Sequence, residues 1–561
     1  MASTNHNRAR SNTTMSAASA GTSASSEGDY SSVWSESSDR GSAGADSAAS
    51  MDPRPLRSPS SSQSPFNEDI FRTKIPYAPT SAEYNYYARL IPVLRARKPS
   101  DKPRILVITD IDQDYDDLMA IVFLAEMHRI GVVELAGFVA NHKPAIKRAF
   151  LLRSTLHLLK LGHLPVAVGT GGVEKDEHRD SFFYELKNVT FADQPWNKQE
   201  PPSGADLMES LARRVDQGEQ PLTVLLISSL QDISEFFNTR SPSFIKKGFK
   251  KFVSQGGYTV TVTPPPESSI KLDPVMGMAN NNFHPTAARN YTDMLGDLNL
   301  PSDAWSREAA KAARLDGSVF QSLSSYGPIG QHFLWSWLRQ EFKFYWDPLH
   351  NPYMEHLNLE WYLKTRLVLD PDSEEFSRFM NTPPDFKTIV PMNKVIAYDG
   401  CAAMGAVGDD VMRALGIMDE VLPAYNTAAH QHRVFGASKD DLGGVDGVSL
   451  GAAFKVFFLG GLLATHKYAE SIIPAQTVRH EISTYSVDLD TFHAQLPYLA
   501  PWKALKAKAK ALGAAGDIWG QRRAEGEADK LKAEKLNAKF PKVPDVVPYE
   551  LLYQEAMGGS G

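Results

Sequence analysis

Cysteine is nearly absent from this chain: Cys401 is the only one among 561 residues. One thiol cannot build an intramolecular disulfide framework or a multi-cysteine zinc site. Long apolar runs are missing too, since none reaches the ~20 residues that span a bilayer. The amino terminus lacks the basic-then-apolar pattern of a secretory signal. Nor is there surplus positive charge. Lys and Arg total 59 against 66 Asp and Glu, a formal net charge of −7, which gives no general drive toward nucleic acid or anionic membrane. These absences lead us to expect a reduced, soluble, cytoplasmic protein with neither nucleic acid nor membrane as partner. They say nothing of its chemistry.

What is present is unevenly distributed. Of the first 64 residues 20 are serine, with apolar residues scattered singly, so this stretch cannot bury enough surface to offset its chain entropy. We expect a disordered tail over residues 1–70 and a transitional segment over 71–102. In the latter, Tyr84, Tyr86, Tyr87, Leu90, Ile91 and Leu94 suit a short docking helix. Folded pattern starts at Ile105, and one large domain is expected over 103–498. A tryptophan-rich helical insertion at about 300–375 interrupts it. Residues 499–561 read as an exposed charged helix, rich in Lys, Ala and Glu over 503–540, with a flexible end.

Within the domain, Ile105 to Ile108 is short, β-branched and continuously apolar, as in a strand buried on both faces. A helix follows from about Asp116 to Ile130, ended by Gly131. Val132–Val139, Leu164–Val168 and Leu222–Ser228 read as strands, Lys147–Leu161 and Leu207–Val215 as helices. Phe252–Val253 suggests one more strand, and Lys394–Tyr398 another. Val448–Leu463 reads as a buried, glycine-rich helix. Strands alternating with helices imply an α/β fold with a mainly parallel central sheet flanked by helices, whose ligands bind at the carboxyl ends of the strands.

The strongest chemical signal lies at one such end. Asp110, Asp112, Asp114, Asp116 and Asp117 place five carboxylates within eight residues. Crowded carboxylates repel unless a cation holds them, and a hard cation with oxygen ligands suits them. The plainer reading is a solvated acidic loop opening a helix, where negative charge is favoured. An EF-hand is excluded, because counting from Asp110 its sixth and twelfth places hold Tyr115 and Ile121 instead of Gly and Glu. Asp110-Ile111-Asp112 also resembles the opening of haloacid-dehalogenase phosphatases, though Asp114 stands where that family has Thr or Val.

Asp110 to Asp117 resembles the Asp-Thr-Asp-Pro-Gly-x-Asp-Asp opening of the nucleoside hydrolases, the inosine/uridine-preferring nucleoside N-ribohydrolases. Further stretches follow in family order: Leu135 to Asn141, Pro165 to Gly169, Val224 to Ile233, Val253 to Gly257, Asn280 to Ala288, Tyr398 to Gly400 and Ser486 to Asp490. The resemblance implies a Ca²⁺ site made by Asp112, Asp117, Asp399 and a main-chain carbonyl near Gln231. It implies ribose contacts from Asp116, Asn141, Asn280 and Asn282. It further implies hydrolysis of the N-glycosidic bond of a ribonucleoside or related riboside, by a calcium-bound water that gives its proton to Asp112. Homo-oligomerisation is expected by analogy with the family.

Three departures bear on this. Asp114 replaces a family glycine, Met278-Ala279-Asn280 replaces Glu-x-Asn, and Tyr398 replaces the histidine that serves the leaving base. Tyr398 takes that place among the catalytic candidates, with His142, His178 and His284 as possible substitutes. Cys401 reads as a small buried residue beside the site. Two alternatives therefore stay open: a non-catalytic nucleoside- or metal-binding scaffold of the same fold, and a metal-dependent phosphatase.

Overall fold

The computed structural model describes residues 66–174, 201–262, 270–350, 354, 356–419, 431–472 and 489–535. The expected serine-rich tail lies outside them up to residue 65; its last residues are not disordered as expected but lead into the helix Glu68–Thr73, capped by Asn67 and anchored by buried Phe71. The strands are β1 (Arg104–Thr109), β2 (Glu134–Ala140), β3 (Val166–Val168), β4 (Leu222–Ile227), β5 (Phe249–Gln255), β6 (Tyr258–Val262), β7 (Ile270–Pro274), β8 (Ser302–Trp305), β9 (Leu315–Asp316), β10 (Lys394–Val395) and β11 (His432–Phe435). Seven of them form one sheet in the order β11-β8-β5-β4-β1-β2-β3, and every pairing in it is parallel.

The apolar runs are continuous because both faces are covered. On β1, Ile105 and Val107 enter one core while Leu106 and Ile108 enter the other. β4 divides the same way, with Leu225 and Ile227 on the first side and Leu222, Val224 and Leu226 on the second. Helices Asp116–Arg129 and Gly447–Ile472 belong to the first layer. The glycines of the second helix serve close approach: a Cβ on Gly461 would stand 2.8 Å from the Val122 carbonyl oxygen, and one on Gly460 would meet the Tyr87 hydroxyl. By length and composition Gly447–Ile472 could cross a membrane, yet 61% of its most apolar window is buried within the fold.

The transitional segment does form a helix, Ala82–Ala96, which buries Tyr87, Leu90, Ile91 and Leu94. Tyr87 donates its hydroxyl proton to the buried Glu126 at 2.6 Å.

Other expectations need correction. The rhythm of strands does not break at 300, because Ser302–Trp305 is β8, inside the main sheet. It is four residues long and was too short to register. Lys394–Tyr398 is not a core strand. Only Lys394–Val395 pairs, antiparallel with β9, and Tyr398 opens the helix Tyr398–Ala406. The charged stretch after 499 is two helices, Leu489–Ala514 and Ile518–Lys535, separated at Gly516, whose φ is 79°. They share a small core around Trp502 and Ala528. The closing strand expected at Ser486–Asp490 lies outside the described residues at 486–488, and Leu489 already begins a helix.

Candidate functional site

Parallel strands deliver their loops to one edge of the sheet. Asp110 follows β1 directly, and Asp116 and Asp117 open the next helix. Asp399 arrives from the first turn of Tyr398–Ala406. One carboxylate oxygen from each of Asp114, Asp116, Asp117 and Asp399 lies within 4.8 Å of the others, and the last three residues are buried. The Asp399 amide donates to Asp116 Oδ2 at 3.3 Å, and the Thr109 hydroxyl donates to Asp117.

Burial, reinforced by the neighbouring carboxylates, holds Asp116, Asp117 and Asp399 well above the ordinary carboxylate range. Burial also pushes Asp110 up to about 7 against the pull of Arg148. Such a group cannot carry its own negative charge. Its all-carboxylate donor set fits a hard divalent cation of the calcium or magnesium kind.

Arg148 offsets only part of this charge. It is buried, and its donors go to the main-chain oxygens of Asp110 at 2.6 Å and Ile111 at 2.7 Å, to Gln113 Oε1 at 2.8 Å and to the His142 carbonyl at 3.2 Å. It fixes the shape of the acidic loop.

Asp112, expected among the metal ligands, stands outside the four-carboxylate group, whereas Asp114, the departure from the family pattern, is inside it. The backbone explains the exchange. Asp112 adopts φ 73°, a left-handed conformation that costs on the order of 1–3 kcal/mol and concentrates at functional sites. Its Oδ1 lies 3.9 Å from Nε2 of His332 on the helix Gly327–His350. Burial drops the His332 pKa to about 4, so the ring is neutral near pH 7.

The other expected residues divide. Gln231 opens the helix Gln231–Asn238, and its side chain accepts from the Gly172 amide at 2.9 Å and donates to Glu235 at 2.7 Å. Asn141 does sit at the end of β2, but its amide donates to the Ser229 carbonyl at 3.0 Å and to Asp232 at 2.8 Å, and its oxygen accepts from Ser228. Asn280 is buried and donates to Gln255 Oε1 at 2.8 Å, beside the end of β5.

Asn282 is exposed. Its neighbour Asn281 is buried instead, donating to the carbonyls of Gly257 at 2.8 Å and Val275 at 3.0 Å.

Tyr398 is half-buried. Burial raises its phenol pKa, the Arg366 charge opposes this, and Asp116 and Asp114 add to it. His142 packs against Phe283 with ring centroids 4.7 Å apart and planes tilted by 36°, and His284 caps Pro285–Leu298 by accepting from Ala287 at 3.2 Å. His178 lies outside the described residues. Cys401 is buried, as expected.

Sequence reasoning missed three residues from the insertion. Besides His332, the buried pair Arg366 and Glu341 stands 3.5 Å apart, and Arg366 donates to the Tyr115 hydroxyl at 3.1 Å. Asn393 donates to the other Glu341 oxygen at 3.1 Å. The insertion thus reaches the acidic loop through the residue immediately before its helix.

No protein-family model matches the chain, and no curated protein matches it. Among solved structures, the type III effector protein XopQ complexed with adenosine diphosphate ribose is similar at a TM-score of 0.51 and 16% identity, over 68% of this chain and 98% of that one. The effector protein XOO4466 (0.49; 17%; 68% and 98%) and a purine-preferring ribonucleoside hydrolase from Gardnerella vaginalis (0.38; 16%; 64% and 99%) are more distant. The chain has the nucleoside hydrolase-like α/β fold. At this identity the likeness establishes the fold and nothing finer.

Proposed function

We propose that this protein binds a ribosyl compound against a divalent cation at the carboxyl edge of its sheet and hydrolyses the N-glycosidic bond. The observation that carries this reading is the set of four mutually close carboxylates, Asp114, Asp116, Asp117 and Asp399, three of them buried. These residues would hold the cation, calcium in this reading, which when bound supplies an acidified water and offsets the charge of the cluster. Asp112, on the same loop two residues before Asp114, accepts a proton as general base, with neutral His332 next to it. Asn280 and Asp116 orient ribose hydroxyls. The surrounding carboxylates stabilise the oxocarbenium-like charge that develops on the sugar. Tyr398 faces the leaving base.

The test is release of the free base from purine, pyrimidine and nicotinamide ribosides and from ADP-ribose, with calcium and with a chelator. ADP-ribose joins the panel because the XopQ structure contains it. Release should require the cation, and Asp112→Asn should abolish it without unfolding the chain. Release that survives Asp112→Asn removes Asp112 from the role of base.

A second reading, binding without turnover, is favoured by Asn141, whose side chain is bonded at both ends within the protein. Cation-dependent binding of a riboside or ADP-ribose with no base released across the panel selects it.

A further inference from the structure

We propose that the ribosyl site continues into an anion subsite formed by Arg314, Arg366, Tyr115 and Tyr398, and that its ligand is a phosphorylated riboside such as a nucleoside monophosphate. The proposal rests on the ribosyl reading above and narrows its substrate class.

A small ribbon assembles these residues. β9 pairs with β10, Leu315 opposite Val395, so Arg314 enters the ribbon beside the segment that leads to Tyr398. The Lys394 amide donates to the Arg366 carbonyl at 2.5 Å, tying the third chain segment alongside. Tyr115 joins them through its hydroxyl, which accepts from Arg366 at 3.1 Å.

The donors here are underused. Arg366 is a buried guanidinium resting on Phe344 at 5.0 Å and Trp361 at 5.6 Å. Its Nε is buried and has no hydrogen-bond partner among the described residues. Arg314 is half-buried, and its Nε is likewise buried without a partner among them. Glu341 balances the charge of Arg366. No ion pair is recorded for Arg314 among the described residues. Tyr398 is next in sequence to Asp399 of the carboxylate cluster and opens the helix that follows the ribbon, so the arginine-bearing ribbon leads directly to that cluster.

A guanidinium taken from water with donors unused is costly unless a ligand completes it. Its planar fork matches the oxygens of a phosphate in paired, charge-assisted hydrogen bonds. A phosphate suits this place better than a carboxylate because it has oxygens to spare. Some would face the two arginines and leave others for the phenols of Tyr115 and Tyr398. Arg314 brings the uncompensated charge, and Arg366, already balanced, brings donors.

Calorimetry on the full chain in calcium, with adenosine and adenosine 5′-monophosphate as the two ligands, tests this. The monophosphate should bind at least about 10-fold more tightly, the scale of one charge-assisted hydrogen bond. Arg314→Ala should remove that preference and leave adenosine affinity unchanged within about twofold. Arg314 is half-exposed, so this variant carries the test even if Arg366→Gln fails to fold. Equal affinity for both ligands, or a preference that survives Arg314→Ala, overturns the subsite while the ribosyl reading stands. Binding of neither ligand overturns the ribosyl reading and the subsite with it.

Discussion

Two groups of buried and half-buried aspartates sit in this fold, and only one has its charge matched by the protein. Among β5, β8 and β11, Arg433 reaches Asp303 through Nε and Nη2, both at 2.6 Å, and Asp409 through Nη1 at 2.5 Å and Nη2 at 2.9 Å. Lys251 also pairs with Asp303. Two carboxylates meet two cations. Burial works to raise the Asp409 pKa, but the bonds from Arg433 and the charge of Lys251 win and hold it at about 2. At the carboxyl edge four carboxylates crowd together with Asp110, and Arg148 spends its donors mainly on main-chain oxygens. There burial wins and the pKa values rise. Burying carboxylates does not by itself make a site. Leaving their charge unmatched does, because the deficit can then be made up only by something that binds.

Removing the cation of the matched group should have the largest effect. Arg433→Ala leaves Asp303 and Asp409 without their shared partner, and breaking a buried pair from one side costs about 3–5 kcal/mol. Urea unfolding would show it, equally with and without calcium. A loss below about 1 kcal/mol would mean that the pairing does not hold these strands.

The unmatched group should respond in the opposite sense. Asp117→Asn removes one of four carboxylates and should weaken calcium binding on the order of 100-fold in calorimetry, at least the loss seen when groups one layer further out are changed. The cation-free chain should be no less stable than the parent, since one repulsive charge has gone. Unchanged calcium affinity would show that the cation binds elsewhere.

The two groups should also differ in pH response. A carboxyl whose pKa rises on folding gives stability that is complete below the ordinary carboxylate range and lost as pH climbs through the folded value. With Asp110 at about 7, the chelated protein should lose thermal stability between about pH 4 and pH 7. A carboxyl lowered on folding behaves inversely, so Asp409, at about 2, gives stability that is present above the ordinary range and fades as pH falls toward 2. Calcium should raise Tm most at the alkaline end, where the cluster is ionised. A chelated Tm that is flat or rising from about pH 5 to pH 8 contradicts the unmatched charge.

The matched group was not readable in the sequence, and the unmatched one largely was. Asp110 to Asp117 are contiguous and follow an unmistakably buried run, so strand, loop and helix could be placed at once. Arg433 and Asp303 are 130 residues apart, and Arg366 and Tyr115 are 251 apart. Nothing in the local sequence sets either arginine apart from a surface charge. β8 and β11, four residues each, are too short for an alternation to register. Even inside the acidic motif, spacing could not reveal that the left-handed turn at Asp112 would direct that side chain to His332 and admit Asp114 to the group.

The same limit applies to the asparagines after Met278, where the smallest effect is expected. Successive residues on a helix point about 100° apart, so a motif that matches by family order does not say which of Asn280, Asn281 and Asn282 faces inward. Asn282 is exposed, and Asn282→Ala should change stability by less than about 0.5 kcal/mol and leave riboside affinity alone. Asn281 ties the turn at Gly257 to Val275 with two hydrogen bonds from its side-chain amide. Each of those carbonyls also accepts from a main-chain amide, of Val275 and of Met278, so Asn281→Ala should cost about 0.5–1.5 kcal/mol per bond lost, readable as a drop in the urea midpoint. The exchange has a stricter consequence for ligand binding. Asn280 leans on Gln255, beside the turn that Asn281 holds, so Asn281→Ala should also weaken riboside binding although it contacts no ligand. A riboside affinity that falls for Asn282→Ala and not for Asn281→Ala would reverse the assignment and return Asn282 to the ribose.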